Sequence, residues 1–229
     1  MAVAARVTLL ATGGGPTMYR VIACSADKAS DGIALAYRAG LTLRDMEMVQ
    51  FHPTGLVIPG SLMTGALLEE GLRVARASFL EVAEGRGSPN GGVWIDVSHL
   101  GAQVVEACRD FGRDLARGPV EVGPTTHFMM GGVVIDTACR TAIEGLIAAG
   151  EDTGGVHGAN RLGGNGVAES TVFGGIAGDV MGEAAPGRPL PRITTASLEA
   201  AVRRLTAPLG RAATDGRRPS HRALGPGAA

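Results

Sequence analysis

The chain has 229 residues, which is enough to bury the core of one large domain or two small ones. Its net charge of −1 excludes the strongly basic surface that nucleic-acid binders need, and its 45% hydrophobic content is typical of a folded globular protein. No apolar run reaches the length of a membrane-spanning helix, so direct insertion into a membrane is not expected.

The cysteines do not indicate a disulfide framework or a metal site. Cys24, Cys108 and Cys139 are odd in number and widely spaced. The sequence therefore predicts a reducing compartment and no bound metal.

The first half of the chain alternates apolar runs with glycine turns. Residues 6–15 (RVTLLATGGG) predict a short buried strand, and residues 27–40 predict a helix with Ser30 and Asp31 as N-cap candidates. Residues 46–55 (MEMVQFHPTG) predict a strand that runs into a proline turn. The next predicted elements are helix over 61–85, a strand and a helix start in 91–100, helix over 101–118, and a connector at 119–124.

The second half is predicted to hold two strands and two helices. The strands are expected in 128–137 (FMMGGVVIDT) and 141–151 (TAIEGLIAAGE). A long apolar helix is expected over 168–185, and a short amphipathic helix over 197–209 follows a proline-rich joint. The Arg-, Gly- and Pro-rich tail from Arg211 to Ala229 is expected to be disordered.

Glycine is the compositional outlier, with 36 residues against eight aromatic ones. The glycines cluster beside apolar runs, where they permit tight turns and the close approach of a ligand to the backbone. Nucleotide-binding proteins of the α/β class use glycine in this way, and the mixture of elements indicates an α/β or α+β fold.

Six stretches in order resemble the flavoprotein subunits of succinate dehydrogenase and fumarate reductase, a family that includes L-aspartate oxidase. They lie within residues 7–185: LATGGGPTMY, ASDGIALAYRAG, MEMVQFHPTGL, PTTHFMMGGV, GLIAAGEDTGGVHGANRLGGN, and the helix up to FGGIAGDVM. The resemblance implies an α/β fold with a partial FAD-binding domain (1–55 and 124–185) and a reduced α+β capping domain for substrate (56–123). Residues 186–229 would then be a linker, the first helix of a helical domain, and a tail.

The resemblance also implies a cradle for a C4 dicarboxylate. His52, His127 and Arg161 resemble residues that hold the carboxylates of succinate or fumarate. This set is physically sensible, because two buried negative charges need cations or several donors, and arginine matches a carboxylate with two parallel donors. Arg161 is also expected to act in catalysis, and Glu70 and Arg73 resemble members of a proton relay.

A second set of residues resembles positions that contact FAD in this family. They are Thr12, Gly13 and Gly14 in the first glycine turn, Glu151 for the ribityl or ribose hydroxyls, and Asn165, Gly166 and Val167 facing the isoalloxazine. His157, in the same loop as Arg161, either binds ligand or orients the loop.

The chain also departs from the family pattern. It lacks the βαβ unit with G-x-G-x-x-G that seats the FAD pyrophosphate, so we expect weak FAD binding or none. After Arg73 it lacks the Arg-Asp pair thought to supply the proton, and Glu69 stands where the family commonly has threonine. The chain is therefore interpreted as a truncated and internally shortened fragment, and whether it is an active enzyme stays open.

The implied family activity is FAD-dependent interconversion of succinate and fumarate by hydride transfer with the flavin. The same implication includes an iron–sulfur subunit as partner, together with a cytoplasmic location that is peripheral to the inner face of the membrane through partners. The alternatives are a non-catalytic remnant, a half-domain that needs a second chain, and an enzyme resembling L-aspartate oxidase.

Overall fold

A computed structural model describes residues 3–25, 27–57, 71–96 and 118–207 of the chain. Eight strands and four α-helices lie in these ranges. The strands are β1 Thr8–Leu10, β2 Leu43–Arg44, β3 Val49–Leu56, β4 Val93–Ile95, β5 Val120–Met129, β6 Gly132–Val134, β7 Leu146–Ala148 and β8 Thr153–Gly154. The helices are α1 Asp31–Arg38, α2 Gly71–Ala83, α3 Asn165–Ala184 and α4 Thr195–Thr206.

The strands form three small sheets. Strand β1 pairs with β7 in parallel, and β6 pairs antiparallel with β2 and parallel with β8. Strand β5 lies at the centre of the third sheet, with β3 and β4 antiparallel on its two sides. The fold is therefore mixed α/β, as predicted.

The described residues within Val7–Arg188 form one compact unit, and those of the segments 3–6 and 189–207 form another. Two apolar clusters stabilise the larger unit. One lies around the fully buried Cys139 and Ala177, and the other joins Ala36, Leu41 and Val133. The predicted division into a cofactor domain and a cap at 55/56 and 123/124 stays a prediction.

The prediction of a connector at 119–124 was wrong, because β5 begins at Val120. Two prolines explain the error. Pro53 and Pro124 both fall where the β3–β5 register is irregular, between the pairs His52–Thr125 and Gly55–Gly123. A proline has no N–H to donate, and at a register irregularity this loss is tolerated without ending the strand.

The predicted strands in 128–137 and 141–151 are shorter than expected. Glycine interrupts both: residues 130 and 131 separate β5 from β6, and Gly145 has a φ of 85° in the turn before β7. At Gly131 a Cβ would lie 2.3 Å from the carbonyl oxygen of Asp45, so the backbone packs closely there.

The predicted helices occur with shifted ends. Helix α3 begins at Asn165 rather than 168, and α4 begins at Thr195, where the hydroxyl of Thr194 accepts a hydrogen bond from the amide of Ser197. Ser30 is the N-cap of α1, but its backbone is left-handed, with a φ of 60°, and its side chain makes no capping hydrogen bond. Of the predicted helix over 61–85, the part from Gly71 to Ala83 is helical; residues 61–70, 97–117 and the tail lie outside the described residues.

Glu121 fastens the turn before β4 to β5. Its side chain is buried and accepts hydrogen bonds from the amide and the side chain of Asn90, at 2.8 and 2.5 Å. Burial acts to raise the pKa of Glu121, but the hydrogen bonds from Asn90 and Ser88 oppose it and the net pKa is lowered. A depressed pKa contributes stability that is present above the unfolded value and is lost as pH falls through the folded value.

We therefore expect Glu121→Gln to reduce the free energy of unfolding by about 1–3 kcal/mol at neutral pH. The difference from the unmodified chain should shrink as pH falls below the ordinary carboxyl pKa, since both side chains are then neutral. Urea unfolding at neutral and acidic pH measures this. The exposed Glu84→Gln is the control, and an equal loss at both pH values would contradict the role given to the charge.

Candidate functional site

The first glycine turn is held by a buried carboxylate. Asp152 is fully buried, and its two oxygens accept from the Thr12 hydroxyl at 2.8 Å and the Gly13 amide at 2.7 Å. The same hydroxyl accepts from the amide of Gly32 in α1 at 3.1 Å. Burial raises the pKa of Asp152, although the Gly13 and Thr12 hydrogen bonds act in the opposite direction. Asp152 thus ties the turn after β1 to the start of α1.

Glu151 lies beside this turn. Its carboxylate is buried, accepts from the amide of Met129 at 3.0 Å, and pairs with Lys28 Nζ at 2.5 Å. A Cβ at position 14 would lie 2.4 Å from the Glu151 Oε1 atom, so only glycine allows this approach. The structure therefore packs the turn at Gly13 and Gly14 against Glu151, and the contacts of these residues with FAD stay predictions.

The two histidines predicted to bind substrate are neighbours. The ring centroids of His52 on β3 and His127 on β5 are 5.8 Å apart, at an interplanar angle of 75°. His127 Nδ1 lies 2.8 Å from the carbonyl oxygen of Ala23, which can only accept, so Nδ1 carries the proton. The Nδ1 atom of His52 accepts from the amide of Thr54 at 3.3 Å, so Nε2 carries the proton of the neutral ring.

Arg161 packs on an aromatic ring. Its guanidinium carbon is 4.5 Å from the centroid of Phe128, and Nη1 donates to the carbonyl of Leu162 at 3.3 Å. Among the described residues its buried Nε–H has no acceptor. Burial lowers the pKa of Arg161, while the negative charges of Glu151 and Glu169 oppose the shift. A buried donor without an acceptor is costly, so this position suits an incoming carboxylate.

The loop that carries Arg161 is anchored on both sides. Gln50 on β3 donates to the carbonyl of Arg161 at 2.7 Å and to the side chain of Asn160 at 3.0 Å. His157 pairs with Glu169 at 2.9 Å, and both side chains are buried. His157 therefore orients the loop. The sequence left the role of His157 open and indicated none for Glu169. The one signal for their contact was the presence of a His and a Glu twelve residues apart on the two sides of a helix start.

The start of α3 lies against the same ring. A Cβ at Gly166 would lie 3.2 Å from Phe128 and 3.5 Å from Arg161 Nη1, so this glycine keeps the helix start close to both. Asn165 is the first residue of α3, and Val167 is exposed. The contacts of Asn165, Gly166 and Val167 with a flavin stay predictions.

Three consecutive residues of β5 connect these groups. His127 contacts His52, Phe128 contacts Arg161 and His157, and the Met129 amide binds Glu151. Residues distant in sequence thus meet along one strand, although no direct contact joins Arg161 to the histidine pair among those described. Of the relay residues, Glu70 lies outside the described residues, and Arg73 is in α2 with its side chain outside the description.

The described residues contain neither a metal-binding cluster nor a helix that could cross a membrane. In residues 3–25, 27–57, 71–96 and 118–207, no three His, Cys, Asp or Glu side chains gather in a way that could hold a metal ion. Within the same ranges, none of the helices has the length and apolar character needed to cross a membrane.

Comparison with known proteins identifies the family. A family model described as FAD binding domain matches residues 1–167. The chain is 46% identical both to an uncharacterised FAD-dependent oxidoreductase of Methanocaldococcus jannaschii and to one subunit of the fumarate reductase (CoM/CoB) of Methanothermobacter marburgensis. These matches cover 76% and 75% of this chain and 38% of each relative. The chain is 34% identical to the fumarate reductase flavoprotein subunit of Escherichia coli, over 79% of this chain and 38% of that one.

Solved structures agree. Sdh1 of Mycobacterium smegmatis in complex with UQ1 superposes with a TM-score of 0.76 at 36% identity, over 89% of this chain and 40% of that chain. A quinol–fumarate reductase with menaquinol superposes with a TM-score of 0.72 at 30% identity, over 92% and 45%.

The chain spans about 38% of the length of the curated relatives that it matches. The alignment to the M. jannaschii protein runs over 207 positions yet covers only 76% of these 229 residues, so the relative has residues inside the aligned region that this chain lacks. The interpretation as an internally shortened member is therefore confirmed. The chain belongs to the FAD-binding domain family of flavoprotein oxidoreductases, together with the flavoprotein subunits of succinate dehydrogenase and fumarate reductase.

Proposed function

We propose that this chain is part of an FAD-dependent oxidoreductase that interconverts succinate and fumarate, and that it carries the residues that hold the dicarboxylate. The observation that carries the proposal is the meeting of His52 and His127, 75 positions apart in sequence, on the strand pair that also anchors the Arg161 loop. The relatives named as fumarate reductase flavoprotein subunits support it.

The residues around the first glycine turn fit FAD. Gly14 lets the backbone of the turn pack directly on the Glu151 side chain, which a Cβ at this position would displace. Glu151 accepts hydrogen bonds and so suits the hydroxyls of the ribityl chain or the ribose. The glycine turn and the first residues of α3 offer backbone to a flat ring. When bound, FAD supplies the site that accepts or returns the hydride.

The chain's own residues would act on the dicarboxylate. Arg161 offers its unpartnered Nε–H to one carboxylate, where a charge-assisted bond replaces lost hydration. The neighbouring rings of His52 and His127 would contact the other carboxylate. Holding the substrate in one orientation lowers the entropic part of the barrier. Glu70 and Arg73 remain the proposed route for the proton, and an iron–sulfur subunit the proposed route for electrons.

A second candidate substrate comes from the relatives. L-aspartate oxidases of Synechocystis and Nostoc are each 35% identical to this chain, close to the identity of the flavoprotein subunit from E. coli fumarate reductase. A dicarboxylate cradle serves an amino dicarboxylate equally well. Titration with succinate, fumarate and L-aspartate in parallel decides between the two substrates.

The histidine pair gives the direct test of the proposal. We expect the purified chain to bind fumarate, and His52→Ala to weaken that binding by about 10-fold, the loss of one hydrogen bond to a charged group. Isothermal titration and ligand-observed NMR measure it. Tyr37→Ala, which changes an exposed aromatic side chain on α1, is the control. The proposal fails if the chain binds none of the three dicarboxylates, or if His52→Ala and the control bind alike.

A further inference from the structure

Lys28 is the only lysine of the chain, and the structure places it on the surface where the cofactor is expected. Its Nζ pairs with Glu151 Oε2 at 2.5 Å and lies 5.9 Å from the centroid of Phe128. Sequence reasoning gave this residue no role. Its neighbours are the Glu151 carboxylate, the first glycine turn, and the ring of Phe128, on which Arg161 packs.

Hydrogen bonds hold the backbone of Lys28 in place. Its carbonyl accepts from the hydroxyl and the amide of Thr17, at 2.7 and 3.3 Å, in the short helical turn that follows the glycines. A Cβ at Gly13 would lie 3.9 Å from the Lys28 side chain. The segment before α1 and the first glycine turn therefore set the lysine against Glu151 from the backbone outward.

The pair leaves Glu151 able to accept more hydrogen bonds. The Glu151 side chain is 7% exposed, so an ionised carboxylate there needs a partner, and Lys28 supplies the positive charge. An ionised carboxylate has about four acceptor positions. Lys28 and the Met129 amide occupy two among the described residues, one on each oxygen. About two acceptor positions of the carboxylate are therefore used by neither Lys28 nor the Met129 amide.

We infer that Lys28 is a positioning residue for the cofactor: its ion pair orients the Glu151 carboxylate so that it can accept hydroxyl hydrogens of FAD. This inference rests on the proposed function as an FAD protein. The side chain of Lys28 is 32% exposed, so a ligand that binds to the Glu151 carboxylate would also cover its amine.

The first part of the test needs no ligand. Because Lys28 is the only lysine, reductive methylation of the chain, read by peptide mass spectrometry, reports one side chain, with the α-amino group as internal reference. We expect Glu151→Gln to speed the methylation of Lys28 severalfold, since the carboxylate no longer engages the amine. An unchanged rate would overturn the inference.

The second part measures cofactor binding to the unmodified chain and its variants. We expect FAD, titrated to millimolar concentration, to protect Lys28 from methylation, and Lys28→Met to weaken FAD binding by about tenfold. Lys28→Arg, which keeps the charge, should recover most of the affinity, and Arg38→Met at the exposed end of α1 controls for net charge. FMN carries the ribityl chain without the adenosine half, so an equal effect on FMN assigns Glu151 to the ribityl hydroxyls, and an effect on FAD alone assigns it to the ribose.

The outcomes separate this inference from the proposed function. FAD binding that is the same in the unmodified chain and in Lys28→Met overturns the role of Lys28 and leaves the FAD proposal standing. No FAD binding by the unmodified chain at millimolar FAD, a concentration that detects the weak binding expected of a chain without the βαβ unit, overturns both. A loss in Lys28→Met that Lys28→Arg does not recover shows that packing alone is at stake, and it also overturns the inference.

Discussion

Arg161→Ala is expected to weaken binding of succinate and fumarate by about 10- to 100-fold, the effect of removing a charge-assisted hydrogen bond to a buried carboxylate. The expected loss is large because the arginine Nε–H has no acceptor among the described residues, so the substrate would supply its only partner there. Arg161→Lys should recover only part, since lysine offers a point charge without the planar pair of donors. Isothermal titration with each dicarboxylate measures the affinity.

The control for Arg161 is Arg38→Ala, which removes a cation from the exposed end of α1. We expect it to leave dicarboxylate affinity unchanged. In any preparation that shows dye-linked succinate oxidation, Arg161→Ala should abolish it. Retention of full affinity in Arg161→Ala would contradict the position of Arg161 in the cradle.

Asp152→Ala is expected to reduce the free energy of unfolding by about 2–4 kcal/mol, because it leaves the Gly13 amide and the Thr12 hydroxyl without their acceptor. The turn after β1 should loosen with it, which hydrogen exchange at Gly13 and Gly32 would report. Asp179→Ala, on the exposed side of α3, is the matched control and should change stability by less than about 0.5 kcal/mol.

Asp152→Asn tests the charge separately from the hydrogen bonds. The pKa of Asp152 is raised in the folded chain, so its contribution to stability is fully present below the ordinary value of 3.8 and is lost as pH rises through the folded pKa. The asparagine is neutral at every pH and keeps one acceptor oxygen. We therefore expect the stability of Asp152→Asn relative to the unmodified chain to improve as pH rises from about 3.8. Urea unfolding across this range checks it, and a constant difference would contradict the assigned pKa direction.

The sequence by itself determined the family and the mixed α/β class, and it supplied the candidate site residues. Local sequence was sufficient for the fold class, because the positions of glycines and apolar runs indicate where turns and buried segments lie. Gly13 and Gly145 lie at turns with φ of 86° and 85°, and the helix over 31–38 ends before Gly40, whose φ is 92°. Six motifs in order, with the one around Arg161 among them, were together specific enough to indicate the family.

Only the tertiary structure decided which groups meet, since partners such as Thr12 and Asp152 are 140 positions apart and no local pattern encodes their contact. The same holds for Lys28 with Glu151 and for Arg161 with Phe128. The first part of β5 was missed for a related reason: Pro124 favours a connector locally, whereas pairing with β3 and β4 on both sides outweighs that preference. Long-range pairing energy depends on what the rest of the chain brings alongside, which a local window of sequence does not contain.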